Sequence, residues 1–174
     1  MKQLLTGIIM LLSIGLFSQP AGTLDPDFGI NGKLLIGIVG QQDVANSVVI
    51  QADGKIVVAG YASSSVSGKD FFCIRLKTDG TYDSTFGLNG IVKTDLQLGS
   101  DDVAYSLSLQ TDGKLILAGY SDNGSSKDAA LVRYHTNGII DSSFGSNGVV
   151  LTDFEASQQD EIHVAKIHHL TGKI

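Results

Sequence analysis

Apolar residues along this chain gather in short runs separated by small polar residues, with no sustained helical spacing. Four such runs follow one another at Lys33 to Ile38, Val44 to Gln51, Lys55 to Tyr61 and Phe71 to Lys77. The series returns as Ile91 to Leu96, Val103 to Gln110, Lys114 to Tyr120 and Ala129 to His135, and begins a third time at Val149 to Phe154. Each run is short, rich in Val, Ile, Leu and aromatics, and bounded by Gly, Asp, Asn or Ser. That is the length and punctuation of β-strands. Stretches such as Val48-Val49-Ile50, Ile56 to Ala59 and Leu115 to Ala118 are apolar throughout, so both faces of the sheets they form need cover.

The runs are phased by a motif, Asp-x-x-Phe-Gly-x-Asn-Gly, at Asp25 to Gly32, Asp83 to Gly90 and Asp141 to Gly148. Successive copies are spaced by about 58 residues (83 − 25 and 141 − 83), and repeats of this kind indicate solenoids, propellers or arrays. Runs two and three are joined by Gln51-Ala52-Asp53-Gly54 and Gln110-Thr111-Asp112-Gly113, where an Asp-Gly pair is a hairpin signal. The pattern predicts an all-β chain of four-stranded antiparallel units of about 58 residues, near 24–81, 82–139 and 140–174, stacked as β-propeller blades. A closed ring takes about four to eight blades, so two full units plus part of a third are incomplete. Further repeats or copies are expected to close the ring, with the chain a truncated product or a fragment of a longer protein.

Composition agrees with this reading and adds an address. Of 18 acidic residues all but Glu155 and Glu161 are Asp, and the chain holds 21 Gly and 2 Pro. Asp and Gly serve turns rather than helices. The net charge of −6, with no basic run, excludes nucleic acid as an expected partner. Lys2 followed by the apolar stretch Leu4 to Phe17 predicts a signal peptide over 1–19 and an exported, secreted or surface-located chain over 20–174. No other segment is apolar enough to span a membrane as a helix. Cys73 is the lone cysteine, at a position occupied by Leu131 in the next unit, so an inert buried thiol is expected.

Each recurring polar residue has a structural and a chemical interpretation. Asp25, Asp83 and Asp141, with Asn31, Asn89 and Asn147, place oxygens in short loops as calcium sites do. No Asp-x-Asp-x-Asp-Gly spacing accompanies them, so the expectation is turn residues and no cofactor. Phe28, Phe86 and Phe144 are expected to anchor the corner in the core. Gly29, Gly32, Gly87, Gly90, Gly145 and Gly148, like Gly54 and Gly113 after Asp53 and Asp112, permit the backbone its turns. Arg75 and Arg133 stand inside strands and need partners, either Asp70 and Asp128 or Asp83 and Asp141. His163, His168 and His169, with His135 elsewhere, lack the convergent co-ligands of a metal site.

Together, Gln-x-Asp-Gly-Lys-apolar-x-x-Ala-Gly-Tyr, the Lys-Asp pair before an Arg-bearing strand, and Asp-x-x-Phe-Gly-x-Asn-Gly resemble the delta-60 repeat family. The resemblance covers Leu24 to about Ile174 and implies β-propeller-type repeats of large exported bacterial proteins, often carrying a type IX sorting domain. It implies no catalytic residues. The third unit departs from it, with His168-His169-Leu170-Thr171-Gly172-Lys173 where the hairpin pattern falls.

No serine-nucleophile elbow, phosphate-binding loop or His-Glu-x-x-His occurs. The expected function is a non-enzymatic binding, adhesion or scaffold module. Its ligand, a glycan or protein, would meet the serine-rich loops Ala62 to Lys69 and Ser121 to Lys127. The alternative is part of a propeller-fold polysaccharide hydrolase or lyase.

Overall fold

The computed structural model describes residues 20–37, 42–97, 99–156, 158–168 and 171–174. The expected signal peptide over 1–19 lies outside the described residues, as do Ile38 and His169. Eight strands and no helix occur among the described residues: β1 (Asp43–Ile50), β2 (Ile56–Ser64), β3 (Gly68–Leu76), β4 (Ile91–Thr94), β5 (Asp102–Leu109), β6 (Leu115–Asp122), β7 (Lys127–Tyr134) and β8 (Val149–Thr152). They form two antiparallel four-stranded sheets, ordered β1-β2-β3-β4 and β5-β6-β7-β8. The described residues are therefore all-β, built of successive propeller-type blades that among themselves do not close a ring.

The blades are offset by one strand from units counted at the motif. The run after each motif pairs with the run before it, so Ile74 faces Ile91 and Val132 faces Val149. The motif lies within a blade, joining its third and outermost strands, rather than at a corner between units. One consequence falls on the first run. The strand it would pair with precedes the motif at Asp25, and residues 34–37 are not strand; Lys33 makes only isolated bridges to Gly29 and Ile30.

A second difference concerns the serine-rich loops. β2 continues to Ser64 and β3 starts at Gly68, with Ser64 paired to Gly68, so only residues 65–67 form the turn. Serine satisfies strand hydrogen bonds through its backbone like any residue, so its abundance here marks half-exposed strand ends. The longest connections between strands are instead those that carry the motif, residues 77–90 and 135–148.

Each inner strand carries a bulge at the same place, between Ala45 and Ser47 and between Ala104 and Ser106. Opposite stand Gly60 and Gly119 of the Ala-Gly-Tyr sequences. A Cβ on Gly60 would lie 1.8 Å from the Val44 carbonyl oxygen, and one on Gly119 would lie 1.8 Å from that of Val103. The bulge brings the backbones this close, and only glycine tolerates the approach.

The bulge also re-aims a serine at the neighbouring blade. Ser47 Oγ accepts the Leu107 amide at 3.1 Å, and one repeat on, Ser106 Oγ accepts the Ala165 amide at 3.1 Å. The divergent third unit thus docks on the second blade as the second docks on the first, although residues 158–168 form no strand.

Between the blades, Val57, Ala59, Phe71 and Cys73 of one meet Ala104, Leu107, Leu115 and Leu117 of the other in a continuous buried core. The opposite face of the first blade is covered in part by Phe28, Leu34 and Ile36. Its Val48 and Ile50 stay 61% and 70% exposed, whereas Leu107, the counterpart of Val48, is 5% exposed. Packing is head to tail: the face left open on the first blade is the one that, on the second, packs against its neighbour.

Candidate functional site

The seam between the blades has two polar ends, one built by the motif and one by the strand ends opposite it. At the motif end, Arg75 of β3 is clamped through its backbone. Its N–H donates to Gly90 O, and its carbonyl accepts the Asp83 N–H, both at 2.9 Å. Its side chain donates from Nε to Asp83 Oδ2 at 2.9 Å and lies over the Phe86 ring, 4.7 Å from the centroid. Of the two partners open to it, the geometry selects Asp83 over Asp70. Arg133 does the same with Asp141 and Phe144, at 2.8 and 4.6 Å.

The carboxylates are fully engaged. Asp83 Oδ1 accepts the Thr85 amide and hydroxyl, while Oδ2 faces Arg75 and Lys55. Burial alone would raise its pKa, but Thr85, Lys55 and Arg75 outweigh burial and hold it well below the usual carboxylate range. Asp141 is held low in the same way, chiefly by the Ser143 hydroxyl, against burial and with help from Lys114 and Arg133. Both oxygens being occupied, neither motif offers calcium a carboxylate. Asp25 is exposed and caps the Asp27 amide; position 17, where its arginine would stand, is Phe.

The three motif asparagines have φ near +54°: 53° at Asn31 and 54° at Asn89 and Asn147. Asn is the non-glycine residue that best tolerates this left-handed region, so its backbone habit explains its recurrence. Phe86 is fully buried, whereas Phe28 and Phe144 are half-buried.

The motif also reaches across the seam. Arg75 Nη1 donates to the Thr136 carbonyl of the second blade, and Gly87 N–H donates to Asn137 O at 2.8 Å. One repeat earlier, Gly29 N–H donates to Asp79 O at 2.9 Å. Asp53-Gly54 and Asp112-Gly113 form the β1–β2 and β5–β6 hairpins, and both flank a cleft of about 570 Å³ with Arg75, Gln51, Gln110 and Thr136. The side-chain oxygens of Gln51 and Gln110 are buried there with no hydrogen-bond partner.

At the opposite end, Asp70, Asp95 and Asp102 bring one carboxylate oxygen each within 4.8 Å of one another. Asp70 opens the inward stretch of β3, Asp95 follows β4, and Asp102 begins β5 of the next blade. Asp70 and Asp102 are fully buried and Asp95 is exposed. Asp70 Oδ2 accepts from Ser67 Oγ and Lys93 Nζ, both at 2.6 Å, while its Oδ1 has no partner. Asp102 accepts from Ser121 Oγ and from the Leu96 amide. Burial pushes the Asp102 carboxyl up to about 6, against the Ser121 and Leu96 hydrogen bonds. Asp95 is raised as well, by burial and then by the charge of Asp70. Lys69 pairs with Asp101 beside this cluster and Lys127 with Glu161 one blade on.

The described histidines, His135, His163 and His168, do not converge. His163 stacks on Tyr105 with ring centroids 4.9 Å apart, His135 stands 3.6 Å from Asp141, and His168 bonds Thr171. Cys73 is fully buried, and burial pushes its thiol up to about 12. Motif reading does not single out the acidic cluster, because Asp70, Asp95 and Asp102 are scattered along the chain with no ligand-like spacing. The signal that finds it is recurrence: all three positions return one period on as Asp128, Asp153 and Asp160.

Two blades of antiparallel strands, packed head to tail and tied by a repeated Arg–Asp–Phe corner, define a β-propeller-type repeat protein. The comparison with known families agrees: the family described as "Domain of unknown function (DUF5122) beta-propeller" matches residues 51–86 and 110–144. Both matched stretches run from the Asp-Gly hairpin through the Arg-bearing strand into the motif. No curated protein matches the chain.

Proposed function

We propose that this chain is an exported, non-enzymatic repeat module of the delta-60 type, a binding or scaffold unit at the cell surface. The observation that supports it best is how the recurring polar residues are used. Arg75, Asp83 and Thr85, like Arg133, Asp141 and Ser143, satisfy one another and leave no free oxygen for proton transfer. A general acid or base must reach the proton it moves, and these carboxylates are buried and neutralised. Export is supported by Lys2 and the apolar stretch after it. The ligand, a glycan or a protein, meets the end where the β2–β3 and β6–β7 hairpins gather with the β4–β5 connection.

The test is a glycan and protein array probed with the purified chain, followed by a polysaccharide cleavage screen. Binding without turnover is the expected result. Cleavage of any polysaccharide would replace this proposal with the hydrolase or lyase alternative. For export, residues 1–23 fused to a periplasmic reporter are expected to carry it out of the cytoplasm, and cytoplasmic retention would refute that part.

A further inference from the structure

We propose that Asp70, Asp95 and Asp102 form a calcium site that clips one blade to the next. Oxygens bound to one Ca²⁺ at about 2.4 Å lie no more than about 4.8 Å apart. The three carboxylates already stand within that reach. Two of them are fully buried, and Asp70 Oδ1 is left without a hydrogen-bond donor although Oδ2 of the same group has two. A buried carboxylate oxygen with no partner needs an explanation, and a bound ion supplies one. Asp95, exposed, provides the route of entry.

The charges point to a divalent ion. Lys93 is the one cation paired with the cluster among the described residues, and Asp101 beside it is taken by Lys69. Three carboxylates and one ammonium leave two negative charges. An all-oxygen donor set selects a hard cation. Calcium accepts irregular shells completed by water and carbonyls, whereas Mg²⁺ demands near-ideal octahedral geometry at shorter distances.

The placement says what the ion would do. Asp70 and Asp95 belong to the first blade and Asp102 to the second, so one ion closes the connection between them. The positions recur in sequence as Asp128, Asp153 and Asp160, and the Phe154 amide bonds Asp160 Oδ2 at 2.8 Å as the Leu96 amide bonds Asp102 Oδ2 at 2.6 Å, but only the first set converges among the described residues. In this second set Asp128 is half-buried, and Asn123 Nδ2 lies 3.2 and 3.3 Å from its two oxygens. One strong site per chain is therefore expected. This inference is independent of the ligand and export proposals above.

The test is calorimetric titration of the chelator-treated full chain with CaCl2, paired with thermal melts. Expected are one calcium per chain, a Kd at or below about 1 mM as in extracellular modules, weaker binding of MgCl2, and a melting temperature raised by calcium. Asp95→Asn, an exposed change that removes one of three mutually repelling carboxylates, should weaken binding at least about tenfold while leaving the chelated melting temperature unchanged or raised. Asp101→Asn should leave the calcium affinity unchanged. Neither heat nor a melting shift at about 10 mM calcium, well above the weakest extracellular sites, would overturn the proposal. So would calcium binding that Asp95→Asn leaves intact.

Discussion

Arg75 and Arg133 occupy the same position in successive repeats, and replacing each by Met separates what a blade does for itself from what its neighbour adds. Both guanidiniums pair through Nε with a buried Asp, both lie over a Phe ring, and both reach a hydroxyl, Thr85 or Ser143. Arg75 also donates to a carbonyl of the following blade, Thr136 O, a bond that Arg133 does not make among the described residues. Its side chain is 7% exposed against 18% for Arg133. Breaking a buried pair by removing one partner costs about 3–5 kcal/mol. Lys55 stays 3.3 Å from Asp83 in Arg75→Met, so the low end, about 3 kcal/mol, applies. Arg133→Met leaves Lys114 3.1 Å from Asp141 and breaks no tie to another blade, so about 1–2 kcal/mol is expected. The difference, about 1.5 kcal/mol, matches one hydrogen bond from a charged donor to a carbonyl. Chemical denaturation of both variants measures it, provided the m-value is unchanged. Equal destabilisation within about 0.5 kcal/mol, the usual error of additivity, would refute the argument that the motif arginine ties blade to blade.

Two further outcomes follow from the same geometry. Asp83 and Asp141 have folded pKa values below their unfolded ones, so the stability they contribute is present above the unfolded carboxylate range near pH 4. It is lost as pH falls through their depressed folded values. A denaturation series below pH 4 should show falling stability, less steep in Arg75→Met; a flat profile there would contradict the pairing. Gly119→Ala forces a Cβ to 1.8 Å from the Val103 carbonyl and should cost more than about 3 kcal/mol, beyond the range of overpacking that a core absorbs. Gly124→Ala meets nothing within 4 Å and carries only the strain of φ +85°, about 1 kcal/mol. Thermal melts that place the two variants together would sink the bulge argument.

Much of this architecture is legible along the chain. Runs such as Lys114 to Tyr120 are too short for a helix and bounded by turn residues, and the Asp112-Gly113 turn sets up the hairpin that β5 and β6 make. Blade membership is not legible, because a repeat of fixed period has no intrinsic starting point. Whether Ile91 belongs with the run before or after it depends on which backbone groups its own reach, and those lie on Phe71 to Ile74, across the motif. The serine-rich stretches mislead for a related reason. A segment rich in serine is a loop only when its backbone lacks a partner strand, and here Ser63 and Ser64 pair with Lys69 and Gly68.

From the sequence alone follow the strand content, the repeat period, the turns and the residues that recur, because these rest on local propensity and on spacing along one chain. Tertiary structure alone decided which aspartates converge. Asp83 is satisfied by its near neighbours in sequence, Arg75 and Thr85, with Lys55 the one distant partner, so its role is nearly local. Asp70, Asp95 and Asp102 come together only because one sheet stacks head to tail on another, and the field three carboxylates exert on one another depends on distance through space.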